Sequence, residues 1–598
     1  MTDTVLYEKP QSKTSRPRTW SIPPALPADI DRALSKYSPI LRQVLYNRGV
    51  TNDVQAAAFL RGDYNLPTDP FLLTGMRKAV DRIRQAVEKG EKIAVYGDYD
   101  VDGVTASTLM FQLLTALHAD VEVYIPNRFD EGYGINSSAL EELKGRDITL
   151  VVSVDCGIRS VKEALVAKEL GIDLIVTDHH LPEHELPEAY SVINPKQPGD
   201  LYPDKGLAGV GVAFKLFTAI LSEWPDPKPI DEEDVVDLVG LGTVADVVPL
   251  KGENRSLVRK GLRQMRQPRR PGLVALINVA GLNTGRISAL DIGFKLGPRL
   301  NAAGRLESAL ASFELLSTKD TQRAGLLAQQ LDDQNKDRQK LTRDMYKTGE
   351  TFVSALAELP PIIFVADEGF NPGVVGLVAA RLVEGFYRPA IVGYRSDGII
   401  KASCRSIKGF DISAALDSCA DLLEKYGGHA AAAGLTLRAD QEQAFVERVS
   451  AYAMQTLTDE MLIRTSIADA EIPLSGLNMD LVKMLDLVEP TGMENPGPRF
   501  VVRGALVLSH RTVGKDAAHL KLSLGDGRCM VDGIGFGLGH LNQELSAIVD
   551  VLFSPSLNEY NGNITVQMMI EDIIPSVPVA PAAGNGKRSI RVESEEDF

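Results

Sequence analysis

Short hydrophobic runs alternate with amphipathic stretches between residues 79 and 193 of the chain. The runs are rich in β-branched residues, whereas the stretches between them repeat their apolar positions at helical spacing. Such alternation of strand and helix is typical of a parallel sheet that is covered by helices on both faces. The pattern therefore predicts a doubly wound α/β unit, with strands at residues 92–96, 121–125, 148–154, 174–177 and 191–193.

The pattern differs on both sides of this unit. Residues 30–48 and 53–61 carry helical periodicity, which predicts an N-terminal helical cap. Residues 318–350 are polar, helical in period and free of proline, so they predict a long connecting helix. From residue 471 onwards the chain is rich in strands and turn signals such as 525–527 and 561–562, which is typical of a small β-barrel of the oligonucleotide-binding type.

A second, smaller α/β unit lies between the long helix and the barrel. Its predicted strands are residues 362–366, 390–392 and 399–403, and its predicted helix is residues 376–384. After Pro575 the composition is typical of a disordered tail. The predicted organisation is thus 1–75 helical cap, 76–317 catalytic α/β domain, 318–355 connecting helix, 356–460 second α/β domain, 465–574 β-barrel and 575–598 disordered acidic tail.

Length and composition limit the class of protein. A chain of 598 residues is too long for one hydrophobic core, and 44% hydrophobic with 24% charged residues is typical of globular domains. We expect a cytoplasmic protein, because no apolar run is long enough to span a membrane and residues 1–20 lack the apolar core of a secretory signal. The 4 cysteines have no CxxC spacing, which excludes a disulfide framework and a zinc ribbon.

The charge distribution leaves one question open. A net charge of -16 argues against a protein that coats DNA by bulk electrostatics. Residues 251–270 nevertheless contain eight Lys or Arg and a single acid, Glu253. This segment is either a phosphate-binding face or an ordinary solvated helix face.

Closely spaced acids point to metal chemistry. Asp98, Asp100 and Asp102 alternate directly after a hydrophobic strand, and carboxylates this close repel one another unless a cation neutralises them. The spacing matches the start of an EF-hand calcium loop, but Leu109 stands where that loop needs a bidentate glutamate. The preceding strand also argues against an EF-hand.

Two more predicted strands end in polar residues, the first in Asp155 and the second in Asp178, His179 and His180. Ligands of open α/β sheets bind outside the carboxyl ends of the strands, so these ends converge on one crevice. Asp246 lies in an apolar setting where a carboxylate needs a partner. For any single residue a structural salt bridge is an alternative. The whole set predicts two divalent metal ions, Mn²⁺ or Mg²⁺ rather than Zn²⁺, with candidate ligands Asp98, Asp100, Asp102, Asp155, His179, His180 and Asp246.

The same segments carry a family resemblance. GDYDVDG, SVDCG, VTDHH and GTVADVVPL follow one another as in the DHH phosphoesterases. Within that superfamily the chain resembles the RecJ family of single-strand-specific DNA exonucleases along nearly its full length, through further stretches such as PNRFDEGYG, GPRLNAAGRL, NPGVVGLVAARL, ASCRS and GGHAAAAG. The resemblance implies a DHH catalytic domain, a DHH-associated domain joined to it by a long helix, and an oligonucleotide-binding fold.

The resemblance also implies roles for individual residues. It makes Asp155 the bridging ligand and His429 a residue that faces the reacting phosphate, so the implied catalytic set is Asp155, His179, His180 and His429. Nucleic-acid and phosphate contacts are implied for Arg128, Arg305, Ser403, Arg405, Gly427 and Gly428. Interdomain salt bridges are the alternative for the first two arginines, and a hydrogen-bonded helix start is the alternative for His429. Asn371 and Thr491 depart from the family pattern, which has His before Pro-Gly and the text Pro-Phe-Gly at these places.

The activity that the resemblance implies is 5′-to-3′ hydrolysis of single-stranded DNA to 5′-mononucleotides in DNA repair and recombination. It further implies a monomer that works with single-strand-binding protein and a RecQ-type helicase, away from membranes. A DHH-type phosphoesterase acting on short oligonucleotides or cyclic dinucleotides is the main alternative, although it would need neither the barrel nor the basic segment. An NTPase would need a phosphate loop, which the sequence lacks, and a non-catalytic scaffold would not need intact metal motifs.

The C-terminal residues 593–598 combine acids with a final Phe598. They resemble the tails through which bacterial single-strand-binding proteins dock their partners. A tethered tail of this kind could compete for the protein's own docking pocket. The alternative is a solubilising end without a partner.

Overall fold

The structure is a computed structural model that describes residues 18–62, 68–127, 131–132, 134–306, 308–560 and 562–576. Arg128 and the predicted acidic tail beyond residue 576 lie outside the described residues. Among the described helices, none combines the length and the apolar content that crossing a bilayer requires.

The N-terminal region begins with a strand and three helices, β1 (Arg18–Ser21), α1 (Ala28–Ala33), α2 (Pro39–Tyr46) and α3 (Asp53–Arg61). The helical pattern over residues 30–48 is therefore divided between two helices. The division occurs because Ser38 caps α2, accepting a hydrogen bond from the Leu41 amide, and Pro39 occupies the first helical turn, where it needs no amide partner.

The first α/β unit contains a five-stranded, fully parallel sheet. Its elements are α4 (Met76–Lys89), β2 (Lys92–Gly97), α5 (Val101–Ala116), β3 (Asp120–Tyr124), α6 (Ser137–Gly145), β4 (Leu150–Val154), α7 (Val161–Glu169), β5 (Asp173–Thr177), β6 (Ser191–Ile193) and α8 (Gly209–Glu223). Separate apolar clusters cover the two faces, with α6 and α7 on one and α4, α5 and α8 on the other. The predicted doubly wound sheet is confirmed.

A helical segment follows and leads into the second unit. It consists of α9 (Val236–Ala245), α10 (Gly252–Met265), α11 (Pro271–Val279), α12 (Ala289–Asp291), a π-helical turn (Ile292–Leu296), α13 (Gly297–Leu306), α14 (Leu310–Ser317) and α15 (Thr321–Ala355). The helix α15 is 35 residues long and is capped by Asp320. The predicted connecting helix is confirmed.

The second α/β unit has a five-stranded mixed sheet in the order β10-β11-β9-β8-β7, with only β7 and β8 parallel. Its elements are β7 (Ile363–Asp367), α16 (Val375–Phe386), β8 (Ala390–Ser396), β9 (Ile399–Arg405), α17 (Ile412–Asp417), β10 (Leu423–His429), β11 (Ala432–Arg438) and α18 (Glu442–Thr456). The strands predicted from the sequence are present, and β8 and β9 extend beyond their predicted ends.

The C-terminal unit is a β-barrel, as predicted. Its elements are β12 (Arg464–Ile467), β13 (Ala470–Glu471), α19 (Met479–Leu485), β14 (Phe500–Val513), β15 (His519–Gly525), β16 (Met530–Gly535), β17 (Ile548–Tyr560) and β18 (Asn563–Pro575). The order β14-β15-β16-β18-β17 is closed by pairing of β14 with β17, which leaves no open edge among these five strands.

The N-terminal helices share their hydrophobic core with the barrel. Leu41 and Val44 of α2 belong to the same buried cluster as Phe500 and Phe553 of the barrel strands. The strand β1 pairs in parallel with β12, which strengthens the connection. Met76 of α4, in contrast, is buried against the first sheet. The domain boundaries given above remain predictions.

The basic segment around α10 joins the catalytic unit to the barrel unit. Arg255 is fully buried and donates hydrogen bonds to the carbonyl oxygens of Phe59, Glu489 and Pro490 at 3.0–3.1 Å. Arg259 donates to the Glu489 carbonyl oxygen at 2.7 Å. These guanidinium groups stabilise a junction between domains. Neither a phosphate-binding face nor a solvated face describes Arg255, because it is fully buried.

Candidate metal centre

The order of strands in the first sheet fixes the place of the site. The sheet runs β3-β2-β4-β5-β6, so the chain changes direction across the sheet between β2 and β4. Ligands of such sheets bind at this switch point, outside the carboxyl ends of the strands. Asp98 directly follows β2, and Asp155 directly follows β4. His179 and His180 come just after β5, the neighbour of β4.

All seven predicted metal ligands come together at this point. They form three overlapping groups in which one ligand atom from each residue lies within 4.8 Å of the others, namely Asp98, Asp100 and Asp155; Asp155, His179 and His180; and Asp102, His179 and Asp246. Asp155 belongs to two of the groups, as a bridging carboxylate would. Their roles as ligands stay predictions.

The buried atoms of the site fit a divalent cation. Asp155 Oδ1, Asp246 Oδ2 and His179 Nε2 are buried without a hydrogen-bond partner among the described residues. The imidazole nitrogen lies 3.2 Å from Asp155 Oδ1 and 3.5 Å from Asp246 Oδ2. Buried polar atoms without partners are costly, and a cation would satisfy all three. Oxygen and imidazole donors without thiolate suit Mn²⁺ or Mg²⁺.

The pKa values of these groups are also shifted by their burial and by the neighbouring charges. Burial raises the pKa of Asp155 well above its usual value, and the charge of Asp102 raises it further. Burial and the charge of Asp102 raise the pKa of Asp246 to about 9. Burial, followed by the charge of His180, lowers the pKa of His179 to about 3. A bound cation would favour the ionised carboxylates and the neutral imidazole, which are the forms that ligate metals.

Besides lying in the acid cluster, Asp102 also accepts hydrogen bonds from the start of helix α8. Its two carboxylate oxygens accept hydrogen bonds from the backbone amides of Gly209 at 2.7 Å and Val210 at 2.9 Å. These amides begin helix α8, whose N-terminus favours a negative charge. Asp102 therefore fixes α8 against the site, and its Oδ2 lies 3.9 Å from His179 Nε2, farther than the corresponding atoms of Asp155 and Asp246.

Asp178 contacts the candidate ligand His180, although the sequence did not lead us to include it among the site residues. Its Oδ1 accepts hydrogen bonds from the amides of His179 at 2.7 Å and His180 at 3.0 Å, and lies 2.8 Å from His180 Nδ1. Its Oδ2 accepts a hydrogen bond from the Ile158 amide at 2.9 Å. Burial opposes ionisation, but the contacts with His180 lower the pKa of Asp178. A carboxylate in this position orients a metal-binding imidazole. Its place directly before the two histidines was the available signal.

Close packing around Asp155 requires glycine. Asp155 has φ 62°, in the left-handed region that few non-glycine residues adopt. A Cβ atom on Gly209 would lie only 2.3 Å from Asp155 Oδ1. A Cβ atom on Gly242 would lie 2.2 Å from Thr105 Oγ1 and 2.9 Å from Asp102 Oδ1. These glycines let α8 and α9 approach the acids.

A cavity of about 370 Å³ opens in front of the acids. It is lined by Asp98, Tyr99, Asp100, His180, Ala245, Asp246, Asn301, Gly304 and Arg305. Asn301 was not predicted, and its Oδ1 accepts a hydrogen bond from the Val101 amide at 3.1 Å. Helix α13 thereby supports the first turn of α5, which carries Asp102.

The second α/β unit reaches this cavity through Arg305. Its Nη1 donates a hydrogen bond to the Gly373 carbonyl oxygen at 3.2 Å. A Cβ atom on Gly373 would lie 2.1 Å from the Arg305 carbonyl oxygen, so the two units are in direct contact. Asn371 holds this turn because its Oδ1 accepts a hydrogen bond from the Gly373 amide at 2.8 Å.

The remaining predicted contacts lie on three adjacent strands. Arg405 pairs with Ala432, which pairs with His429, and Ser403 pairs with Gly434, which pairs with Gly427. Gly428 lies between them with φ 153°. The structure thus brings together Ser403, Arg405, Gly427, Gly428 and His429.

His429 ends a strand, so the alternative that it starts a helix is wrong. Its strand is at the edge of the sheet and its side chain is exposed. Thr491, the second departure from the family pattern, is buried, and its amide donates a hydrogen bond to Glu489 Oε2 at 3.1 Å.

Comparison with known proteins matches each unit of this architecture to a family. Residues 92–243 match the DHH family N-terminal domain, residues 357–455 the DHHA1 domain, and residues 468–572 the RecJ OB domain. The Mn²⁺-bound crystal structure of RecJ from Thermus thermophilus superposes with a TM-score of 0.79 at 31% identity, covering 94% of this chain and 80% of that one. The Mg²⁺-bound structure of that protein gives a TM-score of 0.74 at 30% identity, covering 94% and 78% of the two chains.

Sequence relatives agree. The chain is 41% identical over 539 residues to the single-stranded-DNA-specific exonuclease RecJ of Bacillus subtilis, covering 90% of this chain and 68% of that protein. It is 35% identical to the protein of the same name from Salmonella typhimurium, covering 92% and 97% of the two chains. With its acid-lined site at the switch point of a DHH domain, the chain belongs to the RecJ family of exonucleases.

Proposed function

We propose that the chain hydrolyses single-stranded DNA from the 5′ end to 5′-mononucleotides and that it requires two divalent ions, Mn²⁺ or Mg²⁺. The observation that carries the proposal is the buried cluster of acids and histidines at the switch point, whose atoms Asp155 Oδ1, Asp246 Oδ2 and His179 Nε2 fit a cation. The substrate class is supported by the curated relatives, which are named single-stranded-DNA-specific exonucleases. Polarity and product follow from the family resemblance.

The chain's own residues divide the work of the metal centre. When bound, the two ions supply a water of lowered pKa and neutralise charge on the phosphate. Asp98, Asp100, Asp155, His179, His180 and Asp246 would hold them, with Asp102 at the back of the site. Asp178 keeps the His180 ring in place through the contact with Nδ1. No protein nucleophile is needed.

The second α/β unit would position the strand. We assign the 5′ phosphate to Arg405 and Ser403, because an arginine can donate two parallel hydrogen bonds to a phosphate. At Gly427 an added Cβ atom would meet no atom within 4 Å, so a sugar-phosphate backbone could approach β10 closely there. At Gly428 the added atom would lie 2.4 Å from the Ala432 carbonyl oxygen, so this glycine would serve the packing of β10 on β11. His429 would face the reacting phosphate. Arg305 would bind a phosphate at the cavity wall, and Arg128, which lies outside the described residues, is proposed for the same role.

The fused barrel favours a long strand over a dinucleotide. It is attached to the catalytic unit by buried hydrogen bonds from Arg255, and a phosphoesterase for cyclic dinucleotides would not need such a platform. The proposals of a cytoplasmic monomer that acts in repair and recombination with single-strand-binding protein and a RecQ-type helicase rest on family membership alone.

Digestion of end-labelled oligonucleotides tests the proposed function. A single strand labelled at its 5′ end should release labelled mononucleotide at once in Mn²⁺, whereas the same strand labelled at its 3′ end should shorten progressively. A blunt duplex and a chelator should both suppress hydrolysis. Preferential cleavage of a dinucleotide over a 30-nucleotide strand would contradict the proposal and favour the short-substrate phosphoesterase.

A further inference from the structure

Three large apolar side chains are exposed beside the metal centre. Val247 is 58% exposed, Leu290 is 53% exposed and Phe294 is 78% exposed. Leu290 and Phe294 lie about one turn apart, on α12 and the π-helical turn that follows it. Single exposed apolar residues are common on protein surfaces. The position of these three residues therefore matters for whether they form a binding surface.

The segments that carry them adjoin the wall of the cavity. Val247 directly follows Asp246, which lines the cavity. Gly297 begins α13 three residues after Phe294, and an added Cβ atom there would lie 3.5 Å from the Ala245 Cβ atom. The same helix continues to Asn301, which also lines the cavity. The segments that carry these apolar side chains therefore adjoin residues that line the cavity.

The backbone is distorted at two of these residues, Val247 and Phe294. Val247 has φ 62°, a conformation that a β-branched residue rarely adopts and that costs free energy. Phe294 lies in the π-helical turn Ile292–Leu296, an element that is rare and often occurs at functional sites. Ile292 and Leu296 on either side of it are buried. The turn therefore exposes a phenylalanine between two residues that remain in the core.

The charges nearby argue against a phosphate grip at this place. Lys295 is the cation next to Phe294, and its Nζ forms an ion pair with Asp291 Oδ1 at 2.9 Å. What the segment offers to a ligand is therefore the apolar surface of Leu290 and Phe294. In a single strand whose phosphates face the metal centre, the complementary groups are the nucleobases, which stack on aromatic and apolar side chains.

We propose that Val247, Leu290 and Phe294 form an apolar ledge on which unpaired nucleobases stack as the strand enters the cavity. This inference rests on the proposed function and extends it to the basis of single-strand selectivity. The bases of a duplex are already stacked and paired, so they cannot offer their faces to the ledge. Phosphate contacts alone would not distinguish a single strand from a duplex in this way.

Replacement of Phe294 tests the ledge. Phe294→Ala should raise KM for a 30-nucleotide single strand about tenfold and leave hydrolysis of a dinucleotide unchanged. Phe294→Trp should retain wild-type KM because it keeps the aromatic face. The matched control is Phe352→Ala, which removes a phenylalanine that is 52% exposed on α15, away from the cavity lining. Melting temperatures of the variants show that folding is intact.

An abasic strand distinguishes stacking from any other contact. On a 30-nucleotide strand whose bases are removed, wild type and Phe294→Ala should have the same KM. Equal losses for base-bearing and abasic strands, or no loss beyond that of Phe352→Ala, would overturn the ledge. Fluorescence anisotropy in chelator, with no hydrolysis, should give the same ranking of affinities. An enzyme that binds strands in this ranking but releases no nucleotide in Mn²⁺ would contradict the proposed function and leave the ledge standing.

Discussion

Two clusters of charged residues in this molecule differ in whether their buried polar atoms find hydrogen-bond partners within the protein. At the switch point, seven acids and histidines face one another, and Asp155 Oδ1, Asp246 Oδ2 and His179 Nε2 are buried without a hydrogen-bond partner among the described residues. Along α10, the fully buried Arg255 donates three hydrogen bonds to backbone carbonyl oxygens of two neighbouring segments. Both clusters are conspicuous in the sequence, but only the first needs something from outside the protein.

The partners of a buried charge indicate whether it serves folding or the binding of a ligand. A buried charge that finds its partners inside the chain contributes to folding, and losing it leaves several carbonyl oxygens unsatisfied. A buried cluster that repels itself weakens the fold until a ligand neutralises it, so it persists where the ligand has a function.

Asp155→Asn should reduce turnover on the order of 10³-fold, because one carboxylate belongs to two of the three ligand groups. The melting temperature in chelator should not fall, since the substitution removes a negative charge from a self-repelling cluster. Initial rates on a labelled single strand, together with thermal unfolding, measure both effects. Asp337→Asn on the exposed side of α15 is the control. Retention of more than a few per cent of wild-type turnover would refute the role of Asp155.

Gly209→Ala should reduce turnover by about 100-fold, because the new methyl group would lie 2.3 Å from Asp155 Oδ1 and must displace it. Gly211→Ala is a matched control in the same helix, since its methyl group would lie 3.5 Å from Leu207, an ordinary contact. Rates in saturating Mn²⁺ for the two variants give the comparison. Similar rates for both would mean that α8 can shift without disturbing the metal ligands.

Arg255→Met should lower the free energy of unfolding by about 3 kcal/mol, because three carbonyl oxygens lose their donor in a buried place. Turnover of the folded enzyme should stay within about twofold of wild type, since the hydrogen-bond partners of Arg255 lie at the domain junction. Urea unfolding measures the loss. Lys260→Met, an exposed position in the same helix, should cost less than about 0.5 kcal/mol. A large fall in turnover with normal stability would assign α10 to the site.

The melting temperature in chelator should fall by a few degrees as the pH rises from about 7 to 9. The folded-state pKa of Asp246 is about 9, far above its ordinary value of 3.8, so the native chain keeps a proton that the unfolded chain has released. The unfolding free energy therefore decreases with rising pH in this range. His179, with its pKa lowered to about 3 from 6.5, acts in the opposite direction only below this range.

Mn²⁺ should remove most of this dependence, because it favours the ionised carboxylates. The gap between the melting temperatures in Mn²⁺ and in chelator should consequently widen with pH. A melting temperature in chelator that is flat or rises between pH 7 and 9 would show that the acids are not mutually repelling.

The sequence predicted that the candidate ligands lie together because the relevant features are local, and their roles as metal ligands stay predictions. Asp98, Asp155 and His179 each follow a buried hydrophobic strand, and the geometry of parallel sheets brings such strand ends together. Asp178 directly precedes the two histidines, but its role was missed because only the fold shows that its carboxylate contacts the Ile158 amide and the His180 ring. The hydrogen bond from the Gly209 amide to Asp102 could not be predicted either, because the two residues are 107 positions apart in the chain.

The function of α10 could not be predicted, because its partners are distant in the chain. Arg255 reaches Phe59 and Pro490, 196 and 235 residues away. The sequence shows that a residue is charged, and helical periodicity shows on which face of the helix it lies. Neither shows which distant carbonyl oxygens accept its hydrogen bonds. The packing of the N-terminal helices on the barrel, through Leu41 and Phe500, depends on similarly distant contacts.

The number of Mn²⁺ ions bound per chain tests the central claim most directly. Titration of the metal-free protein, followed by the electron paramagnetic resonance signal of free Mn²⁺, counts bound ions without any substrate. The account expects two ions per wild-type chain, at most one with comparable affinity in Asp155→Asn, and two in Arg255→Met. Equal binding by wild type and Asp155→Asn, or loss of binding in Arg255→Met with its fold intact, would contradict the assignment of the acid cluster as the metal centre.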